Sequence, residues 1–187
     1  MKELILASKS PRRKELLEKC GIPFTVEAAD IDETLNPELS LREAVEDLSL
    51  RKAEEVLRHH PDAVVLGSDT IVVIHDQVLG KPADRNEAAR MLELLSGNTH
   101  QVITGFAFVS NRESFSDCTV SNVTFNSLTP KEIDEYISSG EADDKAGAYG
   151  IQGLAGRFIS QIEGDYYAVM GLPLSRVYSE CKNLETY

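Results

Sequence analysis

Long apolar stretches are missing from this sequence. The opening MKELILASKSPRRKELL meets charge almost at once, so its apolar run is too short for a signal peptide or a membrane span, and no later run is long enough either. A cytoplasmic chain is the expectation. Cysteine is scarce. Cys20, Cys118 and Cys181 are odd in number and widely spaced, with no CxxC and no histidine at ligand spacing beside them, which fits a reduced compartment. Positive charge is short as well: the formal net charge of −12 argues against broad electrostatic binding to nucleic acid or to an anionic membrane. Any anionic ligand must be held by a local basic pocket.

The usual catalytic signatures are also missing. There is no Walker-type GxxxxGK[ST], no GxGxxG and no HExxH. The histidines at 59, 60, 75 and 100 do not recur at ligand spacing and read as structural or surface residues. Ser68 lacks a GxSxG context, which speaks against a serine hydrolase. No repeat, low-complexity tract or linker interrupts the chain.

What is present suits a folded domain. At 187 residues, 42% hydrophobic and 27% charged, the chain can bury a substantial core, and one domain over residues 1–187, with room for two lobes, is expected. Residues 3–7 read as a buried strand, and 11–19 as a helix capped by Ser10 with Pro11 at its first position. A second strand falls at 24–26. Apolar residues at helical spacing predict an amphipathic helix over 41–58, capped by Ser40. The β-branched run from Ala63 to Ile74 predicts one or two buried strands, bent or bulged at Gly67-Ser68-Asp69. A helix over 84–95 capped by Asp84, a hairpin of 100–109 with 115–126, and a helix from Pro130 capped by Thr129 follow. The Gly/Ala-rich stretch DDKAGAYGIQGLAG reads as a loop with room for a helical turn, before a strand at 157–163 and a closing helix from Pro173. The hairpin requires an antiparallel pair, so the fold class is α/β with a mixed sheet.

Chemistry is suggested where polar residues stand against the local pattern. Ser8-Lys9-Ser10-Pro11-Arg12-Arg13 concentrates hydroxyls and guanidiniums at the start of a helix, where unpaired N–H groups and the dipole already favour an anion. Arg12 and Arg13 oppose that dipole unless an anion compensates; a capped surface helix with incidental arginines is the competing reading. Asp69 interrupts a run that otherwise wants burial, so it needs a donor, a cation or a metal; satisfaction by turn amides is the alternative. Lys81 is presented from a turn fixed by Gly80 and Pro82. Lys52 and Glu33 are each unremarkable alone. Together, basic residues, a hydroxyl-rich helix start and acidic loops are the ingredients of a metal–triphosphate site, in which carboxylates hold a hard cation and Arg and Lys hold the phosphates.

Taken together, LASKSPRR, GSDTIV, LGKPAD, HQVITG and DKAGAYGIQG resemble the Maf family of nucleotide pyrophosphatases, in the family's order and across nearly the whole chain. The resemblance implies an elongated α/β fold with a mixed sheet flanked by helices and a cleft between two lobes, similar to the inosine triphosphate pyrophosphatase fold. It implies hydrolysis between the α and β phosphates of a nucleoside triphosphate, dependent on Mg²⁺ or Mn²⁺. Carried over by position, Asp69 matches the proton acceptor, Ser8, Arg12, Arg13, Lys52 and Lys81 the phosphate-facing residues, and Glu33, with Asp69, the metal's acidic neighbourhood. Thr70 and Gln152 place the chain with the branch that takes dTTP and UTP rather than 7-methylguanosine triphosphate, and Arg12 is the third position tied to that choice. Gln152 suits a uracil or thymine edge, since an amide both donates and accepts. The family also implies a homodimer, protection against incorporation of modified nucleotides, and an association with septum inhibition. Two rival readings share these residues: a house-cleaning enzyme for noncanonical purine triphosphates, and a non-catalytic nucleotide-binding regulator of cell division.

Overall fold

In the computed structural model, which describes residues 3–184, the all-apolar LILA of Leu4–Ala7 forms a wholly buried strand, β1. The ends of the expected 1–187 domain, residues 1–2 and 185–187, lie outside the described residues. Ser10 caps helix α1 (Pro11–Glu18), its hydroxyl accepting from the Arg13 N–H, with Pro11 in the first turn where a missing N–H costs nothing. A two-residue strand β2 (Thr25–Val26) precedes helix α2 (Leu41–His59). That helix opens with a capping box: Ser40 takes the Glu43 N–H, and the Glu43 carboxylate returns to the Ser40 N–H.

Strand β3 (Val64–Ile74) runs through Gly67-Ser68-Asp69 as a single strand, one of the two forms expected. It turns at His75-Asp76 into β4 (Gln77–Leu79), with Ile74 opposite Gln77. Both turn residues have positive φ, 49° and 61°. A two-residue hairpin turn demands that geometry, which Asn-Gly usually supplies; His-Asp carries little of that signal, so β4 was not foreseen. Helix α3 (Arg85–Leu95, capped by Asp84), strands β5 (Thr99–Val109) and β6 (Ser114–Phe125), and helix α4 (Pro130–Ser138, boxed by Thr129 and Glu132) follow as expected. The loop after α4 contains two 3₁₀ turns, Ala146–Ala148 and Leu154–Phe158, and the second takes the first residues of the anticipated strand, leaving β7 as Ile159–Glu163. A short helix α5 (Tyr166–Met170), too brief to leave a period in the sequence, precedes α6 (Leu174–Leu184).

The seven strands form one mixed sheet in the order β2-β1-β3-β5-β6-β7, with β4 paired to β3. Strand β1 is parallel to both β2 and β3, whereas β3–β4 and β6–β7 are antiparallel. Contacts divide the described chain into two compact units. The first holds residues 3–69, 104–119 and 171–184, the second residues 70–103 and 120–170, so the division falls within β3, between Asp69 and Thr70. The first unit has a core of Ile5, Ala7, Ala53, Val56, Val65 and Val109. The second packs α3, α4 and the 3₁₀ turns around Leu92, Leu95, Phe125, Tyr136 and Phe158. Among the described residues no helix is long and apolar enough to cross a membrane.

Candidate functional site

Within the first unit, two glycines set the distance between helix and sheet. A Cβ on Gly67 of β3 would stand 2.1 Å from the Ser49 carbonyl oxygen of α2, and one on Gly105 of β5 would stand 2.6 Å from the Val45 carbonyl oxygen. Only residues without a side chain let α2 settle this close, and the helix delivers Lys52 to the sheet. The parallel register pairs Ala7 with Gly67, so the Ser8–Arg13 segment leaves the end of β1 level with the Ser68-Asp69 pair that continues β3. Segments some sixty positions apart in sequence are thereby brought side by side.

Lys52 is the centre of the group. Its Nζ is 2.7 Å from Asp69 Oδ1 and 3.1 Å from Glu33 Oε1, with side-chain exposures of 7% for Lys52, 15% for Asp69 and 63% for Glu33. A buried ammonium with one half-buried and one open carboxylate has its charge compensated on two sides. Arg13 joins from α1. Its guanidinium is held below its ordinary pKa chiefly by removal from water, with Arg12 pushing the same way and Asp69 and Glu33 opposing, so all four charges share one field. Arg13 Nε donates to the Gly171 carbonyl at 2.8 Å, which fixes the side chain's direction. Ser8 is buried, and its Oγ accepts from the Ser10 N–H at 3.1 Å, shaping the turn that presents Arg12.

Ser68, fully buried, donates its hydroxyl proton to the carbonyls of Gly105 (2.8 Å) and Gly171 (3.1 Å). A hydroxyl so committed to two acceptors holds strand β3 in place and is not a nucleophile. Gly171, which the sequence reading did not single out, thus anchors both Arg13 and Ser68 through one carbonyl. Its φ of 119° is open to glycine and little else, and the Gly-Leu-Pro that follows α5 was the available signal.

Thr70, Lys81 and Gln152 belong to the second unit. Thr70 is half-buried on β3, the residue after Asp69. Lys81 is exposed on the turn after β4, and the Gly80 carbonyl beside it accepts from the Gly147 N–H at 3.1 Å, joining the LGKPAD and DKAGAYG motifs. The second motif is pinned at several points. Gly147 has φ 69°, which favours glycine, and a Cβ there would crowd the Val72 side chain at 3.0 Å; Tyr149 is buried with its hydroxyl 2.7 Å from His100 Nε2; the Gly150 N–H reaches the Tyr136 hydroxyl; and the Leu154 N–H reaches the Glu141 carboxylate. Gln152 is left exposed on this braced loop. The histidines sit in structural or surface positions: His100 packs edge-on against Phe125 and Tyr149, His59 and His60 both reach Glu27, and His75 is exposed in the turn between β3 and β4.

The donor chemistry at Lys52 suits a hard divalent cation. Asp69 and Glu33 converge on a single ammonium, and two carboxylates can hold Mg²⁺ or Mn²⁺ whose remaining ligands are phosphate and water oxygens. A second acidic group, Glu46, Asp117 and Cys118, brings ligand atoms within 4.8 Å of one another. It suits a metal less well. Asp117 is paired with Arg176, and burial, with a hydrogen bond to Glu46, pushes the Cys118 thiol up to about 11, away from the thiolate a metal needs.

A family model described as "Maf-like protein" matches residues 3–184. The chain is 50% identical over 184 residues to the dTTP/UTP pyrophosphatase of Geobacillus sp. (strain WCH70), covering 98% of this chain and 99% of that one. It is 47% identical over 185 residues to the dTTP/UTP pyrophosphatase of Bacillus cereus (strain G9842), covering 99% and 97%. Among solved structures, a HAM1 protein from Coxiella burnetii is similar in fold, with a TM-score of 0.53 at 16% identity, over 98% of this chain and 100% of that one.

Proposed function

This chain belongs to the Maf family, and from that premise we propose that it is a nucleoside-triphosphate pyrophosphatase cutting dTTP and UTP to the monophosphate and pyrophosphate. The observation that carries the reading is the Lys52–Asp69–Glu33 constellation beside Arg13, a half-buried carboxylate held by an ammonium next to a basic helix start. Phosphoryl chemistry needs positioning and charge neutralisation more than covalent help, and this cluster offers both. Asp69 accepts the proton of the attacking water, and its Oδ1 contact with Lys52 fixes the carboxylate's orientation. Arg12, Arg13, Lys52 and Lys81, with the Ser8 turn, bind the phosphates. Glu33 and Asp69 would hold Mg²⁺ or Mn²⁺, which when bound supplies charge neutralisation and activation of water.

Thr70, Gln152 and Arg12 select the pyrimidine; the braced loop supports that role for Gln152 by holding its backbone still. The family match runs through both compact units, which supports one Maf-like domain over 1–187. A cytoplasmic location and a homodimer complete the reading. A pyrophosphate-release assay over dTTP, UTP, CTP, ATP, GTP and 7-methylguanosine triphosphate, with and without Mg²⁺ or Mn²⁺, tests it. Metal-dependent release from dTTP and UTP at least about tenfold faster than from the others supports it. A purine preference would make this a house-cleaning enzyme, and nucleotide binding with no release would make it a regulator.

A further inference from the structure

Glu33 is badly placed for a residue that must hold a cation. It stands in residues 27–40, which form neither helix nor strand, and its side chain is 63% exposed. Ordering such a carboxylate only when the ligand arrives would cost entropy at every turnover. The structure shows what offsets this.

Arg51, the residue before Lys52 on α2, directs its guanidinium fork at the backbone on both sides of Glu33. Nη1 donates to the Asp32 carbonyl at 2.7 Å and Nη2 to the Thr34 carbonyl at 2.9 Å, while Nε is anchored on Asp47 Oδ2 at 2.8 Å, one helical turn back. Asp32 closes the same turn from inside, its Oδ1 accepting from the Thr34 N–H (2.8 Å) and hydroxyl (2.6 Å). Lys52 then takes the Glu33 carboxylate itself. Successive helix residues thus hold the backbone and the side chain of one glutamate. A planar fork with donors at fixed angles can bridge two carbonyls, which a lysine cannot do.

We propose that Arg51, seconded by Asp32, is a positioning residue that pre-orders Glu33 for the divalent cation. This rests on the reading of Glu33 as a metal ligand. Charge alone makes the opposite forecast: removing a cation beside a metal site should tighten divalent binding. The sign of the effect therefore separates positioning from electrostatics.

The test measures Mn²⁺ binding to nucleotide-free protein by electron paramagnetic resonance, for wild type, Arg51→Met, Arg51→Lys, Glu33→Gln and the Arg51→Met/Glu33→Gln double variant. Exchange of amides 30–36 with deuterium is followed for each. Arg51→Met and Arg51→Lys are expected to weaken Mn²⁺ about 10–100-fold, the range for groups that orient a metal ligand, and to speed amide exchange around Glu33. In the Glu33→Gln background Arg51→Met should add little to the loss. Unchanged or tighter Mn²⁺ binding in Arg51→Met, or unchanged exchange at 30–36, overturns the proposal. Wild-type and Glu33→Gln proteins binding Mn²⁺ alike would instead remove Glu33 from the site, a failure of the underlying reading and a different pattern of data.

Discussion

Lys52 Nζ lies 2.7 Å from Asp69 Oδ1, and both side chains are largely withdrawn from water, at 7% and 15% exposure. The pair ties the middle of α2 to the middle of β3, so that a helix face and a strand interior, each predicted separately from its own periodicity, meet at one charged contact. Glu33 reaches the same ammonium from an open loop at 3.1 Å and 63% exposure. The asymmetry of burial implies that the two carboxylates do different work.

Removing the ammonium should therefore cost fold stability, and removing the exposed carboxylate should not. Lys52→Met leaves Asp69 without its partner and is expected to lose about 1–3 kcal/mol in urea unfolding. Glu33→Gln is expected to lose less than about 1 kcal/mol while impairing turnover. Equal destabilisation by the two would mean that Glu33 is as structural as Lys52.

The close approach of α2 rests on Gly67. A Cβ there would fall 2.1 Å from a backbone oxygen, which no side-chain adjustment relieves. Gly67→Ala is expected to push the helix off the sheet, destabilise the protein by about 1–3 kcal/mol or more, and reduce activity by separating Lys52 from Asp69. Near-wild-type stability together with full turnover would show that the helix need not sit so close.

His100 makes stability depend on pH. Burial lowers its pKa from 6.5 to about 4, so the unfolded chain binds this proton more readily than the folded one. Its contribution is complete above about pH 6.5 and is lost as pH falls through the folded value, amounting to about 3 kcal/mol by linkage. His100→Gln, which can still meet the Tyr149 hydroxyl, should flatten the unfolding free energy between pH 6.5 and 4. An unchanged slope in the variant would place that dependence in the carboxylates.

Base selection is assigned to Thr70 and Gln152. Gln152→Ala should lower kcat/KM for dTTP and UTP by about tenfold or more, since a lost hydrogen-bonding group leaves its partner unpaired, with a smaller change for nucleotides already poorly used. Adding Thr70→Gln should move the ratio of UTP to 7-methylguanosine triphosphate hydrolysis further. A ratio that stays constant would put specificity elsewhere.

Much of this was legible in the sequence because local chemistry and global fold agree. Ser10, Ser40, Asp84 and Thr129 announce their helices as caps, and each is seen to cap one. Asp69 stood out because a carboxylate in a β-branched run demands a partner, though periodicity did not say that Lys52 would be it. The close-packing role of Gly67 stays hidden in the sequence, because a glycine needed for close packing and one needed for a kink look the same until the facing helix is known. Arg51 left no signal, since an arginine on a charged helix face is ordinary and its partners are backbone carbonyls, which carry no letter in a sequence. The Gly171 carbonyl escaped for the same reason.

The central assignment, Asp69 as proton acceptor, is tested most directly by Asp69→Asn. Asparagine keeps the size and can still accept from Lys52, so the cluster should survive. Single-turnover pyrophosphate release from dTTP with Mg²⁺ is expected to slow by about 10²–10⁴-fold, with dTTP affinity by calorimetry near that of the wild type. An asparagine variant that turns over dTTP at the wild-type rate would contradict the assignment.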